Sequence, residues 1–273
     1  MDVEHAPAKL NLALHVRRRR TDGYHDLETI FAFTNFGDTL SAEPADTLTL
    51  QVRGPFASAA GDDNLVLRAA RALNAACGIE RGAALILDKR IPVAAGLGGG
   101  SADAAAALRL LTRLWSLDLP LAGIAESLGA DVPACLASRT SFATGSGAVL
   151  TPLDDRWAGS PVLLVNPRVA VPTGPVFAAW DGIDRGPLDP ASPLATLRND
   201  LTAPATHIAP VIAEVLAWLT GQGATLARMS GSGATCFALF ATPTARDAAH
   251  SRCPAEWWSE PTFLSPSPLQ GRG

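Results

Sequence analysis

Apolar and polar residues alternate along the first part of the chain in the way that strands require. In residues 9–16 the leucines share one face, which predicts a strand. An Asp-Gly turn at residues 22–23 separates this strand from a second extended segment at residues 24–33. Residues 47–52 and 83–89 have the same strand-like character, so we expect four extended segments in this part of the chain.

Other segments carry apolar residues at intervals of three and four, which is the spacing of a helix. This spacing predicts a helix over residues 64–76, ended by Gly78. A second helix is predicted over residues 102–115 with Ser101 as its N-cap, and a shorter one over residues 121–128. Helices and strands that mix without regular alternation indicate the α+β class.

The character of the sequence changes near residue 154, and a second set of short predicted elements begins there. The predicted elements are strands at residues 161–166, 225–229 and 235–240, a helix at residues 209–219, and a proline-rich irregular connection at residues 167–193. This order predicts a small second domain of the same α+β class.

The predicted domain limits follow from this change in the character of the sequence. We predict an N-terminal domain over residues 1–154 and a C-terminal domain over residues 155–260. Residues 261–273 have the proline, serine and glycine content that is typical of disorder, so we expect this tail to pack against nothing.

Bulk properties exclude several classes of protein. A net charge of −4 argues against nucleic acid as a general partner, and the four arginines at residues 17–20 are equally well explained as a solvated turn flank. No apolar run reaches the ~18 residues that a membrane span needs. The four cysteines form no CxxC pair, and the first residues do not resemble a signal peptide. We therefore expect a cytoplasmic protein without a membrane partner.

Candidate chemistry begins with a glycine-rich loop. Residues 92–103 read Pro-Val-Ala-Ala-Gly-Leu-Gly-Gly-Gly-Ser-Ala-Asp and lead into the predicted helix. The first N–H groups of a helix have no intrahelical partner, and glycines let an anion approach them closely. No lysine follows Gly100, so the loop is not a P-loop, and Ser101 stands where a dinucleotide fingerprint needs glycine. The loop therefore predicts a phosphate site of another kind.

One lysine and one acid complete a minimal set for phosphoryl transfer to an alcohol. Lys9 begins the first strand, and Asp131 stands at a predicted helix start. The acid would orient the hydroxyl and accept its proton, while the cation would offset charge on the moving phosphoryl group. Taken singly, an aspartate in the position of Asp131 is more often a helix cap, and a lysine in the position of Lys9 is more often a surface charge.

Five segments recur in this order in the GHMP kinase superfamily, which the chain resembles over about residues 6–258. They are Pro7-Ala8-Lys9-Leu10-Asn11-Leu12, Asp22-Gly23-Tyr24-His25, the glycine loop, Gly129-Ala130-Asp131-Val132-Pro133 and Met229-Ser230-Gly231-Ser232-Gly233-Ala234. The first two, together with Arg198-Asn199-Asp200-Leu201, are more specific to the branch whose acceptor is a cytidine-diphosphate-linked methylerythritol.

The resemblance implies a fold and a reaction. The fold would be the two-domain GHMP kinase arrangement, with an N-terminal domain like ribosomal protein S5 domain 2, a ferredoxin-like C-terminal domain and an active site between them. The γ-phosphate of ATP, with Mg²⁺, would move to the 2-hydroxyl of the cytidine-linked acceptor. Asp131 would be the base and Lys9 its electrostatic partner.

Binding residues are also implied by the resemblance. Those near the adenosine would be Asn64, Leu65 and Lys89. The ATP loop would consist of Pro92, Val93, Ala94, Ala95, Gly96, Leu97, Gly98, Gly99, Gly100, Ser101 and Ala102. The resemblance assigns no magnesium ligand and no oligomeric state.

The acceptor side would rest on two aromatic residues and their polar neighbours. Tyr24 and Phe177 would stack on the cytosine, and His25 would read its edge. Stacking on a base contributes ~1–3 kcal/mol. Asn11 and Thr173 are the remaining implied acceptor-binding positions. Ordinary core packing is the alternative interpretation of the two aromatic residues.

The chain departs from the superfamily pattern inside the glycine loop. Ala94 and Ala95 replace two glycines, and Ala102 replaces a serine. Alanine is expected to fit wherever the backbone φ is negative. Asp103 lies in the first turn of the helix, where it suits the helix dipole but would repel a triphosphate.

Two other functions are compatible with parts of this pattern. Another GHMP kinase, of the homoserine or mevalonate type, would share the loop but not Tyr24 and His25. A catalytically silent nucleotide-binding protein would need neither Lys9 nor Asp131.

Overall fold

The chain forms two compact units, each built from several separate segments. The computed structural model describes residues 1–59 and 63–268. One unit contains Met1–Lys9, Gly37–Val93 and Gly98–Ser138. The other contains Leu10–Phe36, Ala94–Leu97 and the described chain from Arg139 onward. The domain limits at residues 154 and 260 stay a prediction.

Two long strands, β1 (Asp2–Arg19) and β2 (His25–Ala45), pair with each other and contribute residues to both units. In the first unit, β3 (Leu48–Arg53) runs parallel to β4 (Gly82–Asp88). Strand β4 is also antiparallel to residues 39–45 of β2. Alternate residues of β4 are buried, which is the period-two pattern that the sequence predicts for a strand.

Four helices accompany these strands in the first unit: α1 (Leu65–Cys77), α2 (Gly99–Leu114), α3 (Ala122–Leu128) and α4 (Val132–Ala137). The side chain of Asn64 accepts a hydrogen bond from the Val66 N–H and caps α1. Gly78, at φ 62°, ends α1 as predicted. Alanines fill much of the buried face of α2, which lets α1 pack closely against it.

The start of α2 differs from the prediction. The helix begins at Gly99 with Gly98 as its N-cap, at φ 63°, so Ser101 lies in the first turn and the prediction that it caps the helix is wrong. The physical reason is that glycine enters the left-handed region at no steric cost, so the helix can begin earlier than its first good helix former.

The second unit contains two separate sets of strand pairings. Residues 27–31 of β2 pair antiparallel with β5, which pairs with β6. A four-stranded antiparallel sheet has the order β10-β7-β9-β8. The strands are β5 (Ser141–Gly145), β6 (Val149–Pro152), β7 (Pro161–Asn166), β8 (Leu226–Met229), β9 (Cys236–Leu239) and β10 (Trp258–Phe263).

Helices pack on this sheet around one apolar core that includes Leu163, Trp180, Ile212 and Met229. They are α5 (Thr173–Ala178), α6 (Thr202–Ile208), α7 (Val211–Gly221) and α8 (Pro243–His250). The mixture of helices and strands confirms the predicted α+β class. No helix within residues 1–59 and 63–268 has the length and apolar character that a membrane crossing requires.

The predicted disordered tail is wrong for residues 261–268. Residues 261–263 complete β10, which pairs with β7, and Thr262 and Leu264 are buried. Pro261 is compatible with this strand because β10 is at the edge of its sheet, where a missing N–H is tolerated. The rest of the predicted tail, residues 269–273, lies outside the described residues.

Candidate active site

Lys9 and Asp131, the two candidate catalytic residues, form an ion pair. Strand β1 carries Lys9, whose Nζ lies 3.1 Å from Oδ2 of Asp131. The lysine side chain is 5% exposed and that of Asp131 is 38% exposed, so the carboxylate reaches solvent while its partner does not. Lys9 is therefore not a surface charge. A carboxylate held in this way can accept a proton from an alcohol.

Asp131 does not use its side chain as a helix cap. The residue stands at the N-cap position of α4, but its carboxylate makes no capping hydrogen bond. Pro133 occupies the first turn of that helix, as the sequence pattern indicates. The carboxylate is thus held by Lys9 rather than by the helix it precedes.

The glycine loop lies directly against this ion pair. A Cβ atom on Gly98 would be 3.0 Å from Cε and 3.3 Å from Cβ of Lys9, and 3.9 Å from Oδ2 of Asp131. The φ of 63° at Gly98 is also one that glycine adopts without strain. The backbone at the start of α2 therefore comes within contact of both candidate catalytic side chains.

The two alanines that replace glycines in the loop behave differently. Ala94 has a φ of 53°, in the left-handed region, whereas Ala95 does not have a positive φ. The condition under which alanine is expected to fit, a negative φ, is therefore not met at Ala94. A left-handed alanine costs about 1–2 kcal/mol because its Cβ crowds the following carbonyl oxygen.

A second glycine-containing segment, residues 230–233, supports the loop in the second unit. Ser230 Oγ donates to the Gly96 carbonyl at 2.8 Å and accepts from the Asn11 N–H at 3.2 Å. A Cβ on Gly96 would lie 2.4 Å from the Ser230 carbonyl oxygen. This segment therefore acts as a support for the loop.

Polar side chains extend this support. Asn199 Nδ2 donates to the carbonyls of Met229 and Gly231, each at 2.8 Å. Thr173, an implied acceptor-binding residue, has its Oγ1 3.0 Å from Ser232 Oγ. The Asn11 amide donates to Thr29 Oγ1 at 2.8 Å. The structure thus joins Asn11 and Thr173 to the same supporting segment.

The implied adenosine residues lie near the start of α2. Leu65 Cδ1 would be 3.4 Å from a Cβ on Gly100, and Lys89 Nζ would be 3.0 Å from one on Gly99. Asn64 uses its side-chain oxygen to cap α1. Leu65, Lys89 and residues 98–102 are thus neighbours within the first unit.

Lys89 also contacts two carboxylates that sequence reasoning did not connect with it. Its Nζ lies 2.6 Å from Oδ2 of Asp38 and 2.6 Å from Oδ2 of Asp103. Burial raises the pKa of Asp103, and the positive charge of Lys89 opposes that rise. The charge of Asp103 is thus offset by Lys89. Asp38 lies within β2, where no local motif marks it.

The implied acceptor residues form an aromatic group in the second unit. The rings of His25 and Phe177 have centroids 5.0 Å apart, and Trp180 meets His25 edge-on at 5.8 Å. Burial lowers the pKa of His25, and the nearby charge of Arg19 lowers it further. Its Nε2 is buried and has no hydrogen-bond partner among the described residues. Tyr24, which precedes it, is 63% exposed.

This arrangement has a neutral imidazole edge and an open aromatic face. An exposed aromatic ring can stack on a flat heterocycle, and a neutral histidine can donate or accept one hydrogen bond at each ring nitrogen. The sequence did not indicate Trp180, because its place beside His25 depends on the packing of α5.

Comparisons with known proteins give the family of the chain. A model of the GHMP kinases N terminal domain matches residues 64–139, and a model of the GHMP kinases C terminal domain matches residues 181–259. A glycine loop against a lysine–aspartate pair, on this fold, thus defines a small-molecule kinase of the GHMP class.

Relatives narrow the class. A 4-diphosphocytidyl-2-C-methyl-D-erythritol kinase of Rhizorhabdus wittichii is 57% identical, with 94% of this chain and 92% of the relative covered. One of Novosphingobium aromaticivorans is 51% identical, with 94% and 90% covered. A crystal structure of 4-(cytidine 5'-diphospho)-2C-methyl-D-erythritol kinase is 36% identical, covers 96% of this chain and 99% of its own, and has a TM-score of 0.82. The chain belongs to the 4-diphosphocytidyl-2-C-methyl-D-erythritol kinase family.

Proposed function

We propose that this protein transfers the γ-phosphate of ATP, with Mg²⁺, to the 2-hydroxyl of 4-diphosphocytidyl-2-C-methyl-D-erythritol. The observation that carries the proposal is the Lys9–Asp131 ion pair, with the backbone of Gly98 against it. Family membership supplies the identity of the acceptor, and the geometry supplies the residues for the chemistry.

Asp131 is the proposed general base. Its carboxylate orients the acceptor hydroxyl and takes its proton while the hydroxyl oxygen bonds to the γ-phosphorus. The bond from that phosphorus to the bridging oxygen of ADP breaks in the same displacement, and ADP leaves with the electron pair. Lys9 holds the carboxylate in place and adds a positive charge where negative charge moves.

The glycine loop is the proposed triphosphate cradle. Its residues fit that group because the N–H groups at the start of α2 have no side chains in front of them at Gly98, Gly99 and Gly100. When bound, ATP with Mg²⁺ supplies the electrophilic phosphorus and a divalent charge. Among the described residues no group of three or more His, Cys, Asp or Glu side chains could hold a metal ion.

The aromatic group in the second unit is proposed to select cytosine. Tyr24 offers an exposed face for stacking, and the neutral imidazole of His25 follows it directly in the chain. The rings of Phe177 and Trp180 both contact the His25 ring. A homoserine or mevalonate acceptor has no flat ring that would use these groups.

We further infer a cytoplasmic setting. All four cysteines are unpaired in the structure, which fits a reducing compartment. A net charge of −4 supports small-molecule substrates rather than nucleic acid as partners.

A panel of acceptors tests the proposed function. Purified protein receives ATP and Mg²⁺ with 4-diphosphocytidyl-2-C-methyl-D-erythritol, homoserine, mevalonate or no acceptor, and ADP release is measured. We expect release above the no-acceptor rate with the cytidine-linked compound alone. Release with homoserine or mevalonate instead, or with no acceptor at all, would contradict the assignment.

A further inference from the structure

Three charged side chains are buried together beside the glycine loop. Lys89 Nζ is 2.6 Å from Asp38 Oδ2 and 2.6 Å from Asp103 Oδ2. The side chains are 4%, 0% and 4% exposed in the order Lys89, Asp38, Asp103. We name these three residues the loop clamp. Buried charges are rare unless each is paired, and here one ammonium serves both carboxylates.

The loop clamp joins the two ends of the glycine loop. Asp38 Oδ1 accepts hydrogen bonds from the backbone N–H groups of Arg90 and Ile91, at 2.5 and 2.7 Å, immediately before the loop. Asp103 lies in the helix that follows the loop. Lys89 connects the two carboxylates, so one set of charge-assisted hydrogen bonds fixes both the entry and the exit of the loop.

The ammonium of Lys89 is also packed against the first residue of α2. A Cβ atom on Gly99 would lie 3.0 Å from Lys89 Nζ. An ammonium has three donors, and the two carboxylates occupy two of them. Lys89 is therefore placed to hold the helix start against the end of β4.

We propose that Asp38 and Asp103 are positioning residues for ATP, which act through Lys89 to fix the glycine loop in the geometry that receives the triphosphate. This inference rests on the proposed function and deepens it, because it gives Lys89 a role at the centre of the clamp instead of a contact with adenosine. Neither carboxylate needs to touch the nucleotide.

Charge-removing variants test the clamp. Asp38→Asn and Asp103→Asn keep the side-chain shape, and each removes the negative charge of one ion pair with Lys89. We expect the KM for ATP to rise about tenfold to 10²-fold, as a small misplacement of a binding group produces. We expect the KM for the acceptor to stay within about twofold of its value in the unmodified enzyme. Amide hydrogen exchange across residues 92–103 should become faster, because the loop is no longer held at both ends.

Glu4→Gln is the matched control. Glu4 forms ion pairs with Arg109 and Arg113, which lie farther along the same helix. This change also removes a carboxylate that holds α2, but it does so away from the loop. We expect a lower Tm without faster exchange in residues 92–103 and without a change in the KM for ATP.

A triple variant separates positioning from stability. Asp38→Asn, Lys89→Met and Asp103→Leu together remove all three buried charges. The new amide keeps an oxygen that can accept from the Arg90 and Ile91 N–H groups, and the other two new side chains are apolar, so no buried charge is left unpaired. We expect its Tm to exceed that of either single variant, with loop exchange still fast and the KM for ATP still raised. Unchanged exchange and unchanged ATP KM in this variant would overturn the clamp. Absence of acceptor-dependent ADP release from the unmodified enzyme would instead overturn the proposed function, and loop exchange would still decide the clamp.

Discussion

Lys9 Nζ lies 3.1 Å from Asp131 Oδ2, and the lysine is buried while the aspartate is open to solvent. The pair is therefore asymmetric, because packing fixes the ammonium group while the carboxylate is exposed to solvent. A buried ammonium group is costly unless a negative charge is paired with it, which favours the carboxylate in its place beside Lys9. This relationship converts an acid in a loop into a candidate base.

Replacement of Asp131 tests that role. We expect Asp131→Asn to lower kcat by about 10²–10⁴-fold, the usual contribution of a general base, and to leave ATP binding close to normal. Steady-state kinetics with the cytidine-linked acceptor and equilibrium binding of ATP measure the two effects. Asp118→Asn, an exposed aspartate of the same unit, is the control and is expected to be neutral. A fully active Asp131→Asn enzyme would remove Asp131 from the mechanism.

Gly98→Ala tests the contact between the loop and the ion pair. An added Cβ would be 3.0 Å from Lys9 Cε and would sit at a φ of 63°, so Lys9 must move and the backbone is strained. We expect a loss of roughly 1–3 kcal/mol of stability and a fall in kcat of up to about 10²-fold.

Gly123→Ala is the control for that change. Gly123 lies in α3 and has no atom within 4 Å of an added Cβ. The alanine should stabilise the helix by about 0.5–1 kcal/mol and leave kcat unchanged. If kcat were the same in the two variants, a Cβ atom at Gly98 would not disturb the Lys9–Asp131 pair.

Ala94→Gly tests the strained position in the loop. The left-handed φ of 53° should be relieved, and the gain is partly offset by the greater freedom of glycine in the unfolded chain. We expect a net gain of about 0.5–1 kcal/mol, seen as a Tm raised by roughly 1–4 °C. Ala95→Gly, at a buried position without a positive φ, should lower the Tm instead. A drop in Tm for Ala94→Gly would contradict the strain.

Tyr24→Ala tests acceptor recognition. The side chain is 63% exposed, so its loss should change the Tm little. Loss of ~1–3 kcal/mol of stacking should raise the KM for the acceptor by about 5- to 150-fold and leave the KM for ATP unaffected. Val149→Ala, at another exposed apolar side chain, should change neither constant. If the KM for ATP rose instead, Tyr24 would belong to the nucleotide site.

Leu264→Ala tests the packing of the chain beyond β10. Leu264 is 2% exposed, and its N–H donates to the Ser160 carbonyl at 3.1 Å. Truncation of a buried leucine should lower the free energy of unfolding by about 2–5 kcal/mol, measured by urea denaturation. Leu153→Ala, at a less buried leucine of the same unit, should cost less. A neutral Leu264→Ala would restore the prediction that this segment is disordered.

Local sequence determined the features that depend on short-range physics. The glycine loop, the Gly78 stop and the strand periodicity of β4 all follow from backbone preferences and side-chain spacing within a few residues. The α+β class follows from the order of these elements. Lys9 and Asp131 could be selected because phosphoryl transfer needs a cation and a base, although their contact could not.

Tertiary structure alone decided the features that join distant residues. The pairing of Lys89 with Asp38 and Asp103, the support of Gly96 by Ser230, and the burial of Leu264 each bring together positions far apart in the chain. Propensity and periodicity carry no signal for such contacts, because a buried ion pair or an edge strand is stabilised by its partner rather than by its neighbours in sequence. The sequence by itself thus determined the kind of chemistry, and the tertiary structure decided which residues hold the site in place.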